Sequence, residues 1–201
     1  MRHGIHSDVE RNDYRRLFNH HLNSVEVSKR FIDLVQDKLT LLISKGEGSF
    51  CEFKETFSLD VRKSTHDSNY KPIKEAKIET SSLKTIAGFA NAKGGILFIG
   101  ISDGGHIIGI EREIERFHPS LDKYLLYFKD LVSSRLGKAI FSNLEVSTHK
   151  IDGVKILQAK VEPSSSPVFL LPDDEFYIRT APATEKLSGQ DLATYLRQRF
   201  Q

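Results

Sequence analysis

Apolar residues recur every three to four positions over residues 8–44, which is the spacing of an amphipathic helix. The apolar side of such a helix can pack against the core or pair with a second copy of the chain, and the pattern leaves both open. We therefore predict an N-terminal helical segment, residues 1–44, followed by one principal domain, residues 45–201. The apolar positions of the segment are Leu17, Leu22, Val25, Val27, Phe31, Leu34, Val35, Leu39 and Leu42.

Strand patterns begin after this segment. Residues 50–56 alternate between apolar and polar, which predicts a strand with Phe50, Glu52 and Lys54 on one face. Residues 95–101 are almost continuously apolar and rich in β-branched side chains, as expected of a central strand buried on both faces. Further strands are predicted at 106–110, 144–150, 154–161, 168–171 and 176–179, with turns at Asp152-Gly153 and Pro172-Asp173-Asp174.

Helical spacing predicts helices at 82–92 and 120–136 and a final helix that starts near Ser188. The polar stretch 58–79 predicts an exposed loop between the first strand and the first of these helices. Together the elements predict an α+β fold, in which a mixed, mostly antiparallel β-sheet is packed by helices.

Composition narrows the class of protein. The chain has 201 residues, 39% of them hydrophobic, which is enough for one sizeable core. Lys and Arg number 29 against 27 Asp and Glu, so any attraction to phosphate must come from local clustering of charge. Cys51 is the only cysteine, which excludes an intramolecular disulfide framework and a zinc site built on several thiolates. With no apolar stretch of about 18 to 20 residues and no signal-peptide pattern at the start, we expect a cytoplasmic protein without a membrane span.

Asp103 stands out because it lies just after the apolar run 95–101. Burial of an unpaired carboxylate costs several kcal/mol. Asp103 can be the first residue of an ordinary Asp-Gly turn, with its side chain satisfied by local backbone groups. It can also belong to a functional site.

Two further acids, Glu52 and Glu47, can belong to the same functional site as Asp103. Glu52 and Lys54 share one face of the predicted strand, where they can form an ordinary ion pair. They are also what metal-dependent phosphodiester cleavage needs, a carboxylate for the cation and a lysine near the phosphate. Glu47, flanked by Gly46 and Gly48, can turn towards the same place. Three converging carboxylates repel each other unless a cation is present, and Mg²⁺ or Mn²⁺ prefer such oxygen ligands.

Three stretches of the chain occur in the order found in one known family. They are Glu47-Gly48-Ser49-Phe50-Cys51-Glu52-Phe53-Lys54, Ile86-Ala87-Gly88-Phe89-Ala90-Asn91-Ala92-Lys93-Gly94-Gly95 and Ile99-Gly100-Ile101-Ser102-Asp103. With these motifs, and with Gly109 and residues 176–179 further on, the sequence resembles the Schlafen AlbA-2 domain over residues 45–200.

The resemblance implies roles for individual residues. RNA-cleaving members of the Schlafen family use two glutamates and an aspartate, which correspond here to Glu47, Glu52 and Asp103. Lys54 matches the lysine of the family's Glu-Phe-Lys motif and is assigned support of the phosphate or the metal. Animal Schlafens join two such lobes into a clamp, whereas this chain has one, so a homodimer could supply the second lobe.

Two functional hypotheses follow. The first is a divalent-metal-dependent endoribonuclease that acts on structured RNA such as tRNA, with Mg²⁺ or Mn²⁺ held by Glu47, Glu52 and Asp103. The second is a non-catalytic DNA- or RNA-binding regulatory module, whose binding would be sensitive to salt and would survive loss of the carboxylates. Nucleotide binding is disfavoured because the chain has no Gly-x-x-x-x-Gly-Lys-Ser/Thr loop.

Basic residues near these motifs are candidates for phosphate contacts. Lys84, Lys93 and Arg179 can bind phosphates, although each can equally be an ordinary solvated side chain. His106 is a candidate proton carrier, against the more common role of a solvated or structural histidine.

Overall fold

A computed structural model describes residues 26–30, 32–61, 63 and 71–200 of the chain. The chain divides into two compact units between Leu42 and Ile43. Helix α1 is seen at residues 26–30 and 32–44, which confirms helix in this part of the predicted N-terminal segment. The predicted helical residues 8–25 and Phe31 lie outside the described residues. No helix in the described part of the chain is long and apolar enough to cross a membrane.

Among its described residues, the second unit contains seven strands within two β-sheets, four further α-helices with defined bounds and a short 3-10 helix at Lys138–Ser142, and Val61 and Lys63 are also helical. The α-helices are α2 (Ala76–Asn91), α3 (Glu111–Phe117), α4 (Leu121–Leu136) and α5 (Gly189–Arg199). The strands are β1 (Cys51–Lys54), β2 (Gly95–Ile99), β3 (Leu144–Ile151), β4 (Val154–Val161), β5 (Phe169–Leu170), β6 (Glu175–Arg179) and β7 (Thr184–Leu187).

The larger sheet has the strand order β1-β2-β4-β3, and the smaller one has the order β5-β6-β7. Strands β1 and β2 run parallel, with Glu52 opposite Leu97 and Lys54 opposite Ile99. The other strand pairs are antiparallel. This confirms the predicted α+β class with a mostly antiparallel sheet, and it places β2 in an interior position as its apolar run predicts.

Helix α2 packs against both sheets and carries much of the core. The apolar face predicted from its spacing, with Leu83, Ile86, Ala87 and Ala90, is fully buried. A Cβ atom added at Gly88 would lie 2.9 Å from Cγ2 of Thr184 and 3.3 Å from the backbone of Ile178. The glycine therefore lets the smaller sheet approach the helix closely.

The turn from α2 into β2 also depends on glycine. Gly94 has a φ of +79°, and a Cβ atom there would lie 2.6 Å from the carbonyl oxygen of Val161. A side chain at this position would strain the backbone and displace β4. This geometry gives a physical reason for the Gly94-Gly95 pair in the motif.

A buried acid stabilises the segment that follows β1. The carboxylate of Glu113, on α3, accepts hydrogen bonds from the backbone N–H groups of Phe57 and Ser58 at 2.8 and 2.6 Å. Burial raises the pKa of Glu113, and the two backbone donors partly oppose this rise. Phe57 packs against Phe128 of α4 with ring centroids 4.8 Å apart. Glu113 therefore ties the segment after β1 to the helical layer.

Several predicted boundaries are wrong. Helix α2 begins at Ala76 rather than residue 82, because residues 76–81 are mostly polar and carry no apolar stripe. The predicted strand at 106–110 reduces to one bridge between Ile101 and Ile107, since the backbone of Ile110 donates to Lys155 instead. Helix α3 and strand β7 were not predicted, because both are short and mostly polar. The turns predicted at Asp152-Gly153 and at Pro172-Asp173-Asp174 join β3 to β4 and β5 to β6.

Candidate functional site

Strand β1 is at the edge of the larger sheet, and side chains satisfy backbone groups on its unpaired side. The N–H of Phe53 donates to Oε1 of Glu47 at 2.8 Å, and its carbonyl accepts from Nζ of Lys54 at 2.9 Å. The carbonyl of Cys51 accepts from Nη2 of Arg179 at 3.2 Å. Glu47, Lys54 and Arg179 therefore protect the edge strand from further strand pairing.

Glu52 lies between two cations. Its Oε1 is 2.5 Å from Nζ of Lys54, and its Oε2 is 2.8 Å from Nη1 of Arg179. The Arg179 side chain is only 2% exposed, and that of Glu52 is 15% exposed. The same-face pairing of Glu52 with Lys54, one of the two outcomes predicted from the strand pattern, is present as an ion pair. The partner on β6 was not predicted.

Arg179 is the residue that joins the two sheets at this point. Its Nε and Nη2 donate to the carbonyl of Gly48 at 3.2 and 2.6 Å, and its Nη1 donates to Oγ1 of Thr184 at 3.2 Å. Its guanidinium also lies 5.2 Å from the ring centroid of Phe89 on α2. The planar fork of arginine can serve these acceptors together, which the ammonium group of lysine cannot.

The pKa of the Cys51 thiol reflects its burial and the charged side chains around it. Burial raises the pKa of its thiol to about 11, and the nearby carboxylates of Glu47 and Glu52 add to the rise, while Arg179 opposes it. The thiol therefore stays protonated at neutral pH and is a poor nucleophile.

Asp103 lies in the exposed turn after β2. It lines an open cavity of about 360 Å³ together with Lys54, Lys77 and Asp60. The backbone carbonyl of Lys54 accepts from the N–H groups of Gly100 and Ile101, which brings the end of β1 beside this turn. Lys54 thus connects Glu52 with the cavity that Asp103 lines.

The three acids are not arranged as a divalent metal ion requires. Both oxygens of Glu52 contact cationic side chains, and one oxygen of Glu47 accepts the Phe53 N–H. In the part of the chain that the structure describes, no group of three or more His, Cys, Asp or Glu side chains is placed to hold a metal ion. In this arrangement the residues do not fit a Mg²⁺ or Mn²⁺ centre, and the roles of Glu47, Glu52 and Asp103 as metal ligands stay predictions.

The residues predicted to contact phosphate differ in their surroundings. Lys93 is exposed in the turn between α2 and β2. Lys84 lies over the ring of Tyr177, with Nζ 4.9 Å from the centroid. Arg179 is buried, as described above, and His106 is exposed beside Ser102. None of these placements tests the predicted roles.

An open groove of about 450 Å³ lies on the side of Arg179 where Phe50 is found. Phe50, Lys93, Tyr195 and Arg199 line it together with Arg179. Phe50, Tyr195 and Arg199 were not proposed from the sequence as site residues. The groove combines residues from the segment before β1, the turn after α2, β6 and α5, and no sequence spacing connects these elements.

A family model described as Schlafen, AlbA_2 matches residues 47–188. A crystal structure of a protein from Corynebacterium diphtheriae is 20% identical, with a TM-score of 0.52, and the match covers 75% of this chain and 27% of that protein. This chain thus spans about a quarter of that protein, and the likeness supports the fold.

Another similar structure is the N-terminal domain of an ATP-dependent DNA helicase RecG-related protein from Nitrosomonas europaea, solved by NMR. It is 21% identical with a TM-score of 0.34, and the match covers 56% of this chain and 73% of that one. No curated protein matches the chain. Because the family model covers most of the chain and includes Glu47, Glu52 and Asp103, this protein belongs to the Schlafen AlbA_2 family.

Proposed function

We propose that this chain binds nucleic acid, with RNA as the favoured ligand, along the groove beside the Glu52–Arg179 ion pair. The observation that carries the proposal is the charge of the groove. Its lining residues include Lys93, Arg179 and Arg199 and, among the described residues, no carboxylate. Membership of the Schlafen AlbA_2 family supports it, since the resemblance to that family implies action on nucleic acid.

The cations of the groove are not equivalent. Arg199 donates to the neutral carbonyl oxygens of Ala92 and Ser164 at 3.2 and 3.1 Å, and these two contacts do not compensate its positive charge. Arg179 is paired with Glu52, and its charge is largely compensated there. Lys93 is exposed at the groove. Phosphate contacts are therefore assigned to Lys93 and Arg199, and a structural role to Arg179.

Lys93→Ala is expected to weaken binding to all RNA sequences alike, because a phosphate contact carries no sequence information. The slope of log Kd against log salt concentration should fall by about one, as one released counterion is lost. Fluorescence anisotropy with labelled tRNA and with single-stranded RNA, at several salt concentrations, measures both effects. Lys129→Ala, which removes an exposed lysine from α4, is the matched control and should leave Kd and slope unchanged. No salt-sensitive binding of any nucleic acid by the unmodified protein would refute the proposal.

A second candidate function is the divalent-metal-dependent endoribonuclease predicted from the sequence, with Glu47, Glu52, Asp103 and Lys54 at its centre. The observation that favours it is that Glu47 reaches strand β1, where its Oε1 accepts the N–H of Phe53, the residue next to Glu52. For a metal ion to bind there, Glu52 would have to exchange Lys54 and Arg179 for the ion. The geometry supports binding better than cleavage for this reason.

Cleavage of tRNA in Mg²⁺ or Mn²⁺ and its absence in EDTA would establish the second candidate. In that case Asp103→Asn should lower the cleavage rate on the order of 100-fold, because loss of a metal ligand removes several kcal/mol of transition-state stabilisation. Asp152→Asn is the matched control, since Asp152 also lies in an exposed turn. Product analysis on gels, with single- and double-stranded DNA in parallel, also gives the substrate class. If tRNA is bound but stays intact with either metal, the binding module remains and the nuclease is refuted.

A further inference from the structure

We propose that the groove binds a single-stranded segment, with an unpaired base stacked on the exposed ring of Phe50 and the neighbouring phosphates held by Lys93 and Arg199. This inference rests on the proposed nucleic-acid binding and deepens it. The ligand is a single strand, and Phe50 is the residue that contacts its unpaired base. No base identity is implied, since every base has a π-face that can stack on an aromatic ring.

Phe50 is an unusual residue to find at a surface. Its side chain is 56% exposed, although phenylalanine is among the residue types most often buried. The backbone at this point is well held, because the Phe50 carbonyl accepts from the N–H of Ile96 at 2.9 Å. The neighbouring Gly48 carbonyl is held by Arg179 at 2.6 Å. The ring is thus presented to the groove from an ordered backbone, which lowers the entropic cost of binding.

The charges around the ring suit a nucleic-acid strand. Lys93 and Arg199 line the same groove as Phe50, and Arg199 approaches it from helix α5. Tyr195, one turn earlier on α5, also lines the groove, and its hydroxyl donates to the carbonyl of Asn91 at 2.7 Å. An aromatic surface beside basic side chains is the combination that single-stranded nucleic acid recognises through stacking and phosphate contacts.

The position of the Phe50 ring favours a single-stranded ligand over a duplex. In a duplex the bases are stacked on each other and paired, so their faces are not available to a side chain in a groove. An unpaired loop or single strand exposes those faces. A duplex would therefore keep the phosphate contacts and lose the contact with Phe50.

The test uses the full chain with two ligands of the same sequence, a single-stranded RNA of twelve nucleotides and its duplex. Phe50→Ala should weaken binding of the single strand about 5- to 100-fold, the loss expected for one base stacked on an aromatic ring. Binding of the duplex, and of inorganic polyphosphate, should stay within about twofold, because neither presents an unstacked base. Leu126→Ala is the matched control, since Leu126 is also exposed, at 49%, on α4.

A second variant gives a direct signal. The chain has no tryptophan, so Phe50→Trp introduces a single indole fluorophore at the proposed contact. Single-stranded RNA should quench its emission, polyphosphate should not, and the affinity for RNA should be kept. Unchanged single-strand affinity in Phe50→Ala together with an unquenched Phe50→Trp would overturn this inference and leave the proposed function intact. Absence of any salt-sensitive binding by the unmodified protein would instead overturn both.

Discussion

Asn91→Ala is expected to lower the free energy of unfolding by about 3 to 5 kcal/mol. The Asn91 side chain is fully buried at the end of α2. Its Nδ2 donates to the carbonyls of Val168 and Tyr177 at 2.8 and 2.9 Å, and its Oδ1 accepts from the Val168 N–H at 2.8 Å. Alanine leaves these three backbone groups without partners in the interior, and each such group costs about 1 to 3 kcal/mol.

Urea unfolding followed by circular dichroism measures the loss. Asn143→Ala is the matched control, because the Asn143 side chain donates one hydrogen bond of 3.1 Å, to the Pro163 carbonyl, at the surface. That variant should lose about 1 kcal/mol or less. A similar, small loss in both variants would show that water replaces the Asn91 side chain, and that this residue does not hold the smaller sheet onto α2.

Arg179→Ala is expected to lower the free energy of unfolding by about 3 to 5 kcal/mol, the usual cost of breaking a buried ion pair on one side. The substitution leaves Glu52 with Lys54 alone and removes the donors to the carbonyls of Gly48 and Cys51. Because Gly48 precedes Phe50 by two residues, the backbone that presents Phe50 to the groove should become less ordered. Affinity for single-stranded RNA should therefore fall as well, even at temperatures where the variant stays folded.

Two variants separate charge from geometry at this position. Arg179→Lys keeps the positive charge and loses the planar fork, so it should recover only part of the stability. Arg197→Ala removes an exposed arginine from α5 and should leave both stability and binding unchanged. Thermal unfolding and RNA anisotropy on the same samples give the two readouts. Full recovery by lysine would mean that charge alone holds the two sheets together at Glu52, against the geometric argument.

The family motif was recognisable from local sequence, but its contacts with distant segments were not. The Glu-Phe-Lys order predicted that Glu52 and Lys54 share a face, and the two side chains form an ion pair. The phosphate contact predicted for Arg179 stays a prediction, and the structure adds a contact that was not predicted, because the Arg179 side chain is buried against Glu52. Nothing in the sequence links these two positions, since the contact exists only once β6 lies beside β1.

Phe50 illustrates the same limit. The alternation of residues 50–56 predicted it within a strand, on the face of Glu52 and Lys54. In the structure β1 begins at Cys51, and Phe50 lies in the groove before it. The groove that Phe50 lines also contains residues of the turn after α2, of β6 and of α5, so no local pattern could indicate it.

The sequence by itself determined the family and most of the longer local elements. The apolar run of β2, the helical stripe of α4 and the turn at Asp152-Gly153 are set by interactions between near neighbours, which periodicity and turn preference report. Only the tertiary structure decided which side chains complete the site. Arg179 contacts Glu52 on the other sheet, and Asn91 on α2 contacts Val168 and Tyr177. Both depend on how the elements pack, because burial and hydrogen bonding join segments that are distant in the sequence.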